Sequence, residues 1–155
     1  MRILAIDPAT TTGWAHSTGP SGVWNLKTGS NESIGMKFVR FIKNIQGIKE
    51  TLGIDIIVYE ISSVGSGLKA NFMSAKLIDQ LGAMIELYTE TTPNVECKGY
   101  NLQTVKAHAL PGEAKRDKKA MLSAAKNKWP GVKFQDDNEA DAYWLLSLAE
   151  KTLFQ

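Results

Sequence analysis

The chain holds one cysteine, Cys97, and two histidines, His16 and His108. One thiol cannot close a disulfide within the chain, which excludes a disulfide-stapled scaffold and points to a reducing compartment. Neither histidine has partners at zinc-ligand spacing, so zinc modules are excluded. No apolar run approaches the roughly 20 residues that cross a bilayer. The start lacks the charged-then-apolar layout of a signal peptide. These features lead us to expect a cytoplasmic protein with no membrane partner. Repeats, low-complexity tracts and linkers are also missing, and the 155 residues read as a single α/β domain over 1–155.

What is present is an ordinary soluble composition, 43% hydrophobic and 22% charged, with an uneven distribution of a net charge of only +2. Between Lys98 and Lys133 lie Lys106, Lys115, Arg116, Lys118, Lys119, Lys126 and Lys128. "QDDNEAD", just beyond, holds four acids, Asp136, Asp137, Glu139 and Asp141. A basic stretch beside an acidic cluster suits a metal-dependent enzyme acting on a polyanion. A lysine-rich solvated helix would have the same composition.

Periodicity supplies the elements. "RILAID", "TGWAHS" and "GVWNLKT" read as three antiparallel strands with a turn at "TGPSG". From Ser33 to Leu52, Ile34, Phe38, Phe41, Ile42, Ile45 and Ile48 recur at helical spacing, and Gly53 ends the run. "IDIIVYE" is apolar on both faces and predicts a central strand. A loop, "ISSVGSGLKAN", leads to a helix over Phe72–Thr89 with Met73, Leu77, Leu81, Met84, Ile85 and Tyr88 on one stripe. "NVECKG" predicts a fifth strand. A short helix near Leu102, a basic helix from Lys115 to Lys128 and a last helix from near Asn138 follow.

Two of the strands end on acids, Asp7 and Glu60. Burying a carboxylate costs free energy unless something pairs with it, and the carboxyl ends of strands are where α/β sheets bind ligands. If the first and fourth strands are neighbours, Asp7 and Glu60 converge. In the last helix Asp137 and Asp141 stand four apart on one face, which Asn138 also reaches. Converging acids repel until a cation neutralises them, and oxygen donors from separate elements suit Mg²⁺. Each acid alone has an ordinary alternative as a turn or a helix cap.

"ILAIDPATTTGWA", then "DIIVYE" ahead of a helix, then "DDNEADA" opening the last helix resemble the RuvC-type Holliday-junction resolvases, small phage-type members most of all. In "GEAKRDKKAM", Asp117, Lys118 and Met121 match that family's D-K-x-x-M-like stretch. The resemblance implies a ribonuclease H-like fold: a five-stranded mixed sheet, three antiparallel strands then parallel ones, flanked by helices. It implies a metal-dependent endonuclease of DNA recombination and repair, cutting four-way or other branched DNA as a homodimer. Two Mg²⁺ ions (Mn²⁺ substituting) would serve each site, with no nucleotide cofactor. Asp7 would be the first-strand metal ligand, Glu60 the second metal's, and Asp141 a ligand shared with Asp7. The family's fourth acid stands where this chain has Asn138, and Asp137 is the nearest acid able to replace it. Lys118 would sit near the scissile phosphate, with Lys115, Arg116 and Lys119 on DNA phosphates. Lys69 and Asn71 could also contact phosphate, and Val64, Leu68 and Phe72 are candidates for a wedge at the junction centre, although Phe72 reads first as the opening core residue of its helix. A phage origin would place the protein in the cytoplasm of a bacterial host.

The remaining residues have plainer readings. His16 reads as structural or exposed, His108 as a loop residue able to meet DNA, Cys97 as a small buried residue. Trp14, Trp24 and Trp144 read as core and Trp129 as a partly exposed helix end. Ser74, Ala75, Gly82, Ala83 and Met84 would let the long helix pack closely on a second copy. "DPATTTGWA" also resembles the first phosphate motif of actin-like ATPases, but no second glycine-rich turn follows and the length supplies one lobe. A branched-DNA-binding protein with weakened chemistry, and a nuclease acting on RNA–DNA hybrids, are the competing functions.

Overall fold

A computed structural model describes residues 1–62 and 72–154, the side chain of Phe72 excepted. Val64, Leu68, Lys69 and Asn71 lie outside the described residues, as does the Phe72 side chain. The chain runs β1 (Ile3–Asp7), β2 (Thr11–His16), β3 (Ser21–Asn25), α1 (Met36–Leu52), β4 (Ile56–Ile61), α2 (Phe72–Thr91), β5 (Glu96–Asn101), α3 (Leu102–Ala109), α4 (Lys118–Lys128) and α5 (Asp137–Leu153). The strands form one sheet in the order β3-β2-β1-β4-β5. β1, β2 and β3 pair antiparallel, and β1–β4 and β4–β5 pair parallel. This is the five-stranded mixed sheet that the strand pattern and the resemblance imply.

Strand alternation sorts the core into two layers. Leu4 and Ile6 of β1 and Ile57 and Tyr59 of β4 face α1 and α2, where Phe41, Ile45, Leu81 and Ile85 are buried. Ile3 and Ala5, with Ile56 and Val58, face the opposite way, onto Val105, Met121, Trp144, Leu145 and Leu148 of α3, α4 and α5. Ile3, Leu4 and Ile6 have no exposed surface. Burying each stabilises the fold by roughly 1.5–3 kcal/mol.

Helix starts depart from the periodicity in instructive ways. α4 begins at Lys118 rather than Lys115, because Asp117 adopts an extended conformation and caps it, accepting a 2.8 Å bond from the Ala120 amide. Lys115 and Arg116 therefore precede the helix. α1 begins at Met36 rather than Ser33, after a turn in which the Met36 amide bonds the Ser33 carbonyl. On α2, Met73 is 73% exposed and leaves the predicted stripe, while Leu81, Ile85 and Tyr88 are buried. Gly82 faces inward against the Tyr59 ring, where a Cβ would come within 3.2 Å, so it is not available to a second copy. Ala83 and Leu87 do face outward. Small-residue composition does not say which helix face the residues occupy.

One close approach sets up the functional end of the sheet. A Cβ on Gly13 of β2 would lie 1.9 Å from the Asn138 carbonyl oxygen. Only glycine lets the first turn of α5 rest on the strand. Among the described residues no helix is long and apolar enough to cross a membrane.

Candidate active site

The period of two that buries Ile3 and Ala5 carries Asp7 onto the α3–α5 side, and the same alternation carries Glu60 there after Ile56 and Val58. β1 and β4 are paired in parallel with Ile6 opposite Tyr59, so the next residues, Asp7 and Glu60, sit side by side at the carboxyl ends. α5 comes over them from the other layer. Asp136 caps it, its Oδ1 accepting a 2.9 Å bond from the Glu139 amide. That places Asp137 in the first turn and Asp141 one turn later. Asp137 Oδ2 receives Lys118 Nζ at 2.9 Å. Four elements, β1, β4, α4 and α5, thus supply Asp7, Glu60, Lys118, Asp137 and Asp141.

The electrostatics of this cluster are those of crowded like charges. Burial, then the charges of Glu60 and Asp141, push the Asp7 carboxyl well above its ordinary range, with Lys118 opposing. Burial and Asp141 lift Glu60 to about 7, against Lys106 and Lys118. Burial lifts Asp141 to about 6, with Asp137 adding to the rise and Lys118 and Lys106 opposing it. Asp137 moves the other way, held down by the hydrogen bond from Lys118. Burial acts to lower Lys118, but the Asp137 bond and the charges of Asp137, Asp141 and Asp7 outweigh it and leave the ammonium raised.

The donor set fits a hard divalent cation. It consists of carboxylate oxygens from separate elements, with no imidazole or thiolate, which suits Mg²⁺ or Mn²⁺. Among the described residues no three His, Cys, Asp or Glu side chains are gathered closely enough to form a finished cage.

Asn138 makes only a long 3.5 Å contact from its Nδ2 to Asp136 Oδ2. Lys115 pairs with Asp117 at 3.1 Å on the surface, Arg116 Nε bonds the Glu113 carbonyl at 3.0 Å, and Lys119 is exposed. Of Lys115, Arg116, Lys118 and Lys119, Lys118 alone is bonded to one of the acids that face Asp7.

Two residues that bear on the site stand out in the sequence only as members of the basic stretch and the acidic cluster. Lys106 lies on α3, which leaves β5 directly at the same sheet edge, and its charge favours ionised Glu60 and Asp141. Its position becomes legible only once β5 is known to run parallel beside β4. Glu139 is buried, with Oε1 accepting from Ser21 Oγ at 2.6 Å and Oε2 from the Gln135 amide at 2.6 Å.

His108 is on α3, not in a loop. Its Nε2 is 3.0 Å from Ser147 Oγ and its ring meets Trp144 edge-on, so it pins α3 to α5. His16 is buried at the opposite end of the sheet; its Nε2 donates to the Gly53 carbonyl at 2.9 Å and its Nδ1 accepts from the Thr18 amide at 3.2 Å. Trp24 and Trp144 are in the core, Trp14 is partly buried against it, and Trp129 packs on Tyr143 at the end of α4. Cys97 is partly buried beside Thr89.

No protein-family model matches the chain, and no curated protein sequence does. Solved structures do match. RuvC of Thermus thermophilus, in complex with a Holliday junction substrate, superposes with a TM-score of 0.66 at 16% identity, covering 94% of this chain and 90% of that one. The chain has a RuvC-type fold. A second Thermus thermophilus RuvC structure matches equally. The yeast mitochondrial Holliday junction resolvase Ydc2 superposes at a TM-score of 0.63 and 12% identity, covering 94% of this chain and 75% of Ydc2. The RuvC-type sheet accounts for the neighbouring carboxyl ends of β1 and β4.

Proposed function

We propose that this chain is a divalent-metal-dependent endonuclease that resolves Holliday junctions or other branched DNA, acting as one nuclease domain over residues 1–155. The observation that carries the reading is the convergence of Asp7, Glu60 and Asp141 from three elements, like charges facing one another and flanked by Lys118. Its substrate class is suggested by the solved neighbours, one of which is bound to a Holliday junction.

Asp7, Glu60, Asp137 and Asp141 would hold two Mg²⁺ or Mn²⁺ ions, with the side-chain amide oxygen of Asn138 as a further donor. The chemistry such a pair supplies is activation of a water and stabilisation of the leaving oxygen of a phosphodiester. The chain's own residues do the rest. Lys118, poised by Asp137, offsets charge building on the scissile phosphate. Lys115, Arg116 and Lys119, with Lys69 and Asn71, track phosphates without reading bases. A two-fold homodimer would set two such sites on a two-fold junction, giving 5′-phosphate and 3′-hydroxyl products. The single thiol, Cys97, fits a reducing cytoplasm, that of a bacterial host if the chain is phage-borne.

The deciding experiment is cleavage of an end-labelled synthetic four-way junction in Mg²⁺, beside linear duplex and RNA–DNA hybrid. Paired nicks at symmetric positions on the junction are expected. Cleavage of the hybrid alone would make the chain a ribonuclease H-like enzyme of another specificity. Tight junction binding without nicks in Mg²⁺ or Mn²⁺ would make it a binding protein and point to Asn138 as the lesion.

A further inference from the structure

Glu139 is 3% exposed, yet it is a carboxylate with no cationic partner among the described residues. Its two oxygens are occupied by neutral donors from outside its own helix, Ser21 Oγ on β3 and the Gln135 amide ahead of the cap, each at 2.6 Å. At the third helical position after the Asp136 cap, a glutamate normally folds back to the cap's own backbone amide. Here one oxygen reaches one residue further back and the other leaves the helix for the edge strand. Burying a carboxylate merely to end a helix would be a costly arrangement, because its desolvation is offset only by two hydrogen bonds.

The geometry around it suggests what the arrangement holds. At about 100° per residue, Asp137 and Asp141 share a face of α5 and Glu139 projects roughly from the opposite one. The same first turn rests on β2 at Gly13, where a side chain would collide with Asn138 and the Glu139 amide. Contact at Gly13 sets the height of the helix over the sheet. The Ser21–Glu139 bond ties the same first turn to β3, and the rotation of that turn decides where Asp137 and Asp141 aim.

We propose that Glu139 is a positioning residue, which by hooking α5 to Ser21 and Gln135 turns Asp137 and Asp141 towards Asp7 and so sets the affinity of the site for divalent metal. The inference rests on the reading of those acids as metal ligands. Ser21 is its partner in this role, and neither residue touches metal or DNA.

The test is Mn²⁺ titration calorimetry on the full chain without DNA, for wild type, Ser21→Ala, Glu139→Ala and Glu139→Gln, with thermal melting of each. The glutamine amide oxygen accepts from Gln135 and its NH₂ donates to Ser21, so Glu139→Gln keeps both links without the charge. Ser21→Ala is expected to raise the Mn²⁺ dissociation constant about tenfold with a near-wild-type melting temperature, and Glu139→Gln to stay within about twofold of wild type. Should Glu139→Ala fail to fold, Ser21→Ala carries the decision. Unchanged Mn²⁺ affinity in folded Ser21→Ala overturns the positioning role, as does a Glu139→Gln variant as weak as Ser21→Ala. Absence of Mn²⁺ uptake by the wild type would instead overturn the metal-site reading beneath it.

Discussion

The two ends of the sheet treat the same residue type in opposite ways. Where β4 begins, Asp55 is met by the Arg2 guanidinium and the Arg2 amide, with Nη2 to Oδ1 at 2.5 Å and the amide to Oδ2 at 2.6 Å. Those bonds hold Asp55 down at about 2. Close by, His16 has both ring nitrogens engaged. Where β1 ends, Asp7 is partly buried beside two other acids and is driven up instead. Among the described residues no hydrogen bond is donated to the side chains of Asp7, Glu60 or Asp141. Structural charge in this protein is closed off by protein partners. The charge at the other end is left with open lone pairs, and such a cluster is complete only with protons or cations.

That contrast breaks most sharply at Asp7. Asp7→Asn should cut junction cleavage by at least about 10³-fold while leaving four-way junction binding, read by mobility shift, largely intact. In EDTA the same variant should lose less stability than wild type as pH rises, because one of the three crowded acids no longer titrates. Cleavage near the wild-type rate would remove Asp7 from the site.

A smaller effect follows from pH. A carboxyl whose pKa is raised by folding stabilises the fold fully below its unfolded value and loses that contribution as pH climbs through its folded value. For Asp141 the rise is from 3.8 to about 6, and for Glu60 from 4.5 to about 7. The metal-free protein should therefore lose stability between about pH 4 and pH 7, and Mg²⁺ should restore most of it near pH 7.5. Melting curves in EDTA and in Mg²⁺ across that range decide it; a flat EDTA profile would contradict the crowding. The Asp55 contribution has the opposite sign and is lost only on acidification from the ordinary carboxylate range towards about 2.

The smallest change is expected at the paired end. Asp55→Asn should lower the melting temperature slightly, since exposed ion pairs contribute little, and leave cleavage untouched. A large loss of cleavage in that variant would mean that the two ends are not separable.

Legibility in the sequence follows the range of the interactions. An apolar run stopping on an acid is a local signal, and Asp7 and Glu60 are readable from it. Asp137 and Asp141 follow from helical spacing once the last helix is seen. Lys118 is readable through the D-K-x-x-M-like stretch, although the composition starts its helix three residues too early, because the capping role of Asp117 is weaker in pattern than the run of basic residues. Lys106 and Glu139 are not readable. Lys106 depends on where α3 leaves the sheet edge. Glu139 has the pattern of an ordinary capping glutamate until Ser21, 118 residues away, is found bonded to it. Gly82 shows the same limit, its small size being matched to the Tyr59 ring rather than to a partner helix.

The acids are collected from nearly the whole length of the chain, Asp7 on β1 and Asp141 on α5. Synthesis runs from the N-terminus, so a growing chain has β1 and β4 long before α5 is available to cover them. A nascent chain that has not yet emerged to α5 therefore lacks Asp137 and Asp141 and the Ser21–Glu139 bond. Asp137 and Asp141 join Asp7 and Glu60 only when this one late helix docks on the sheet.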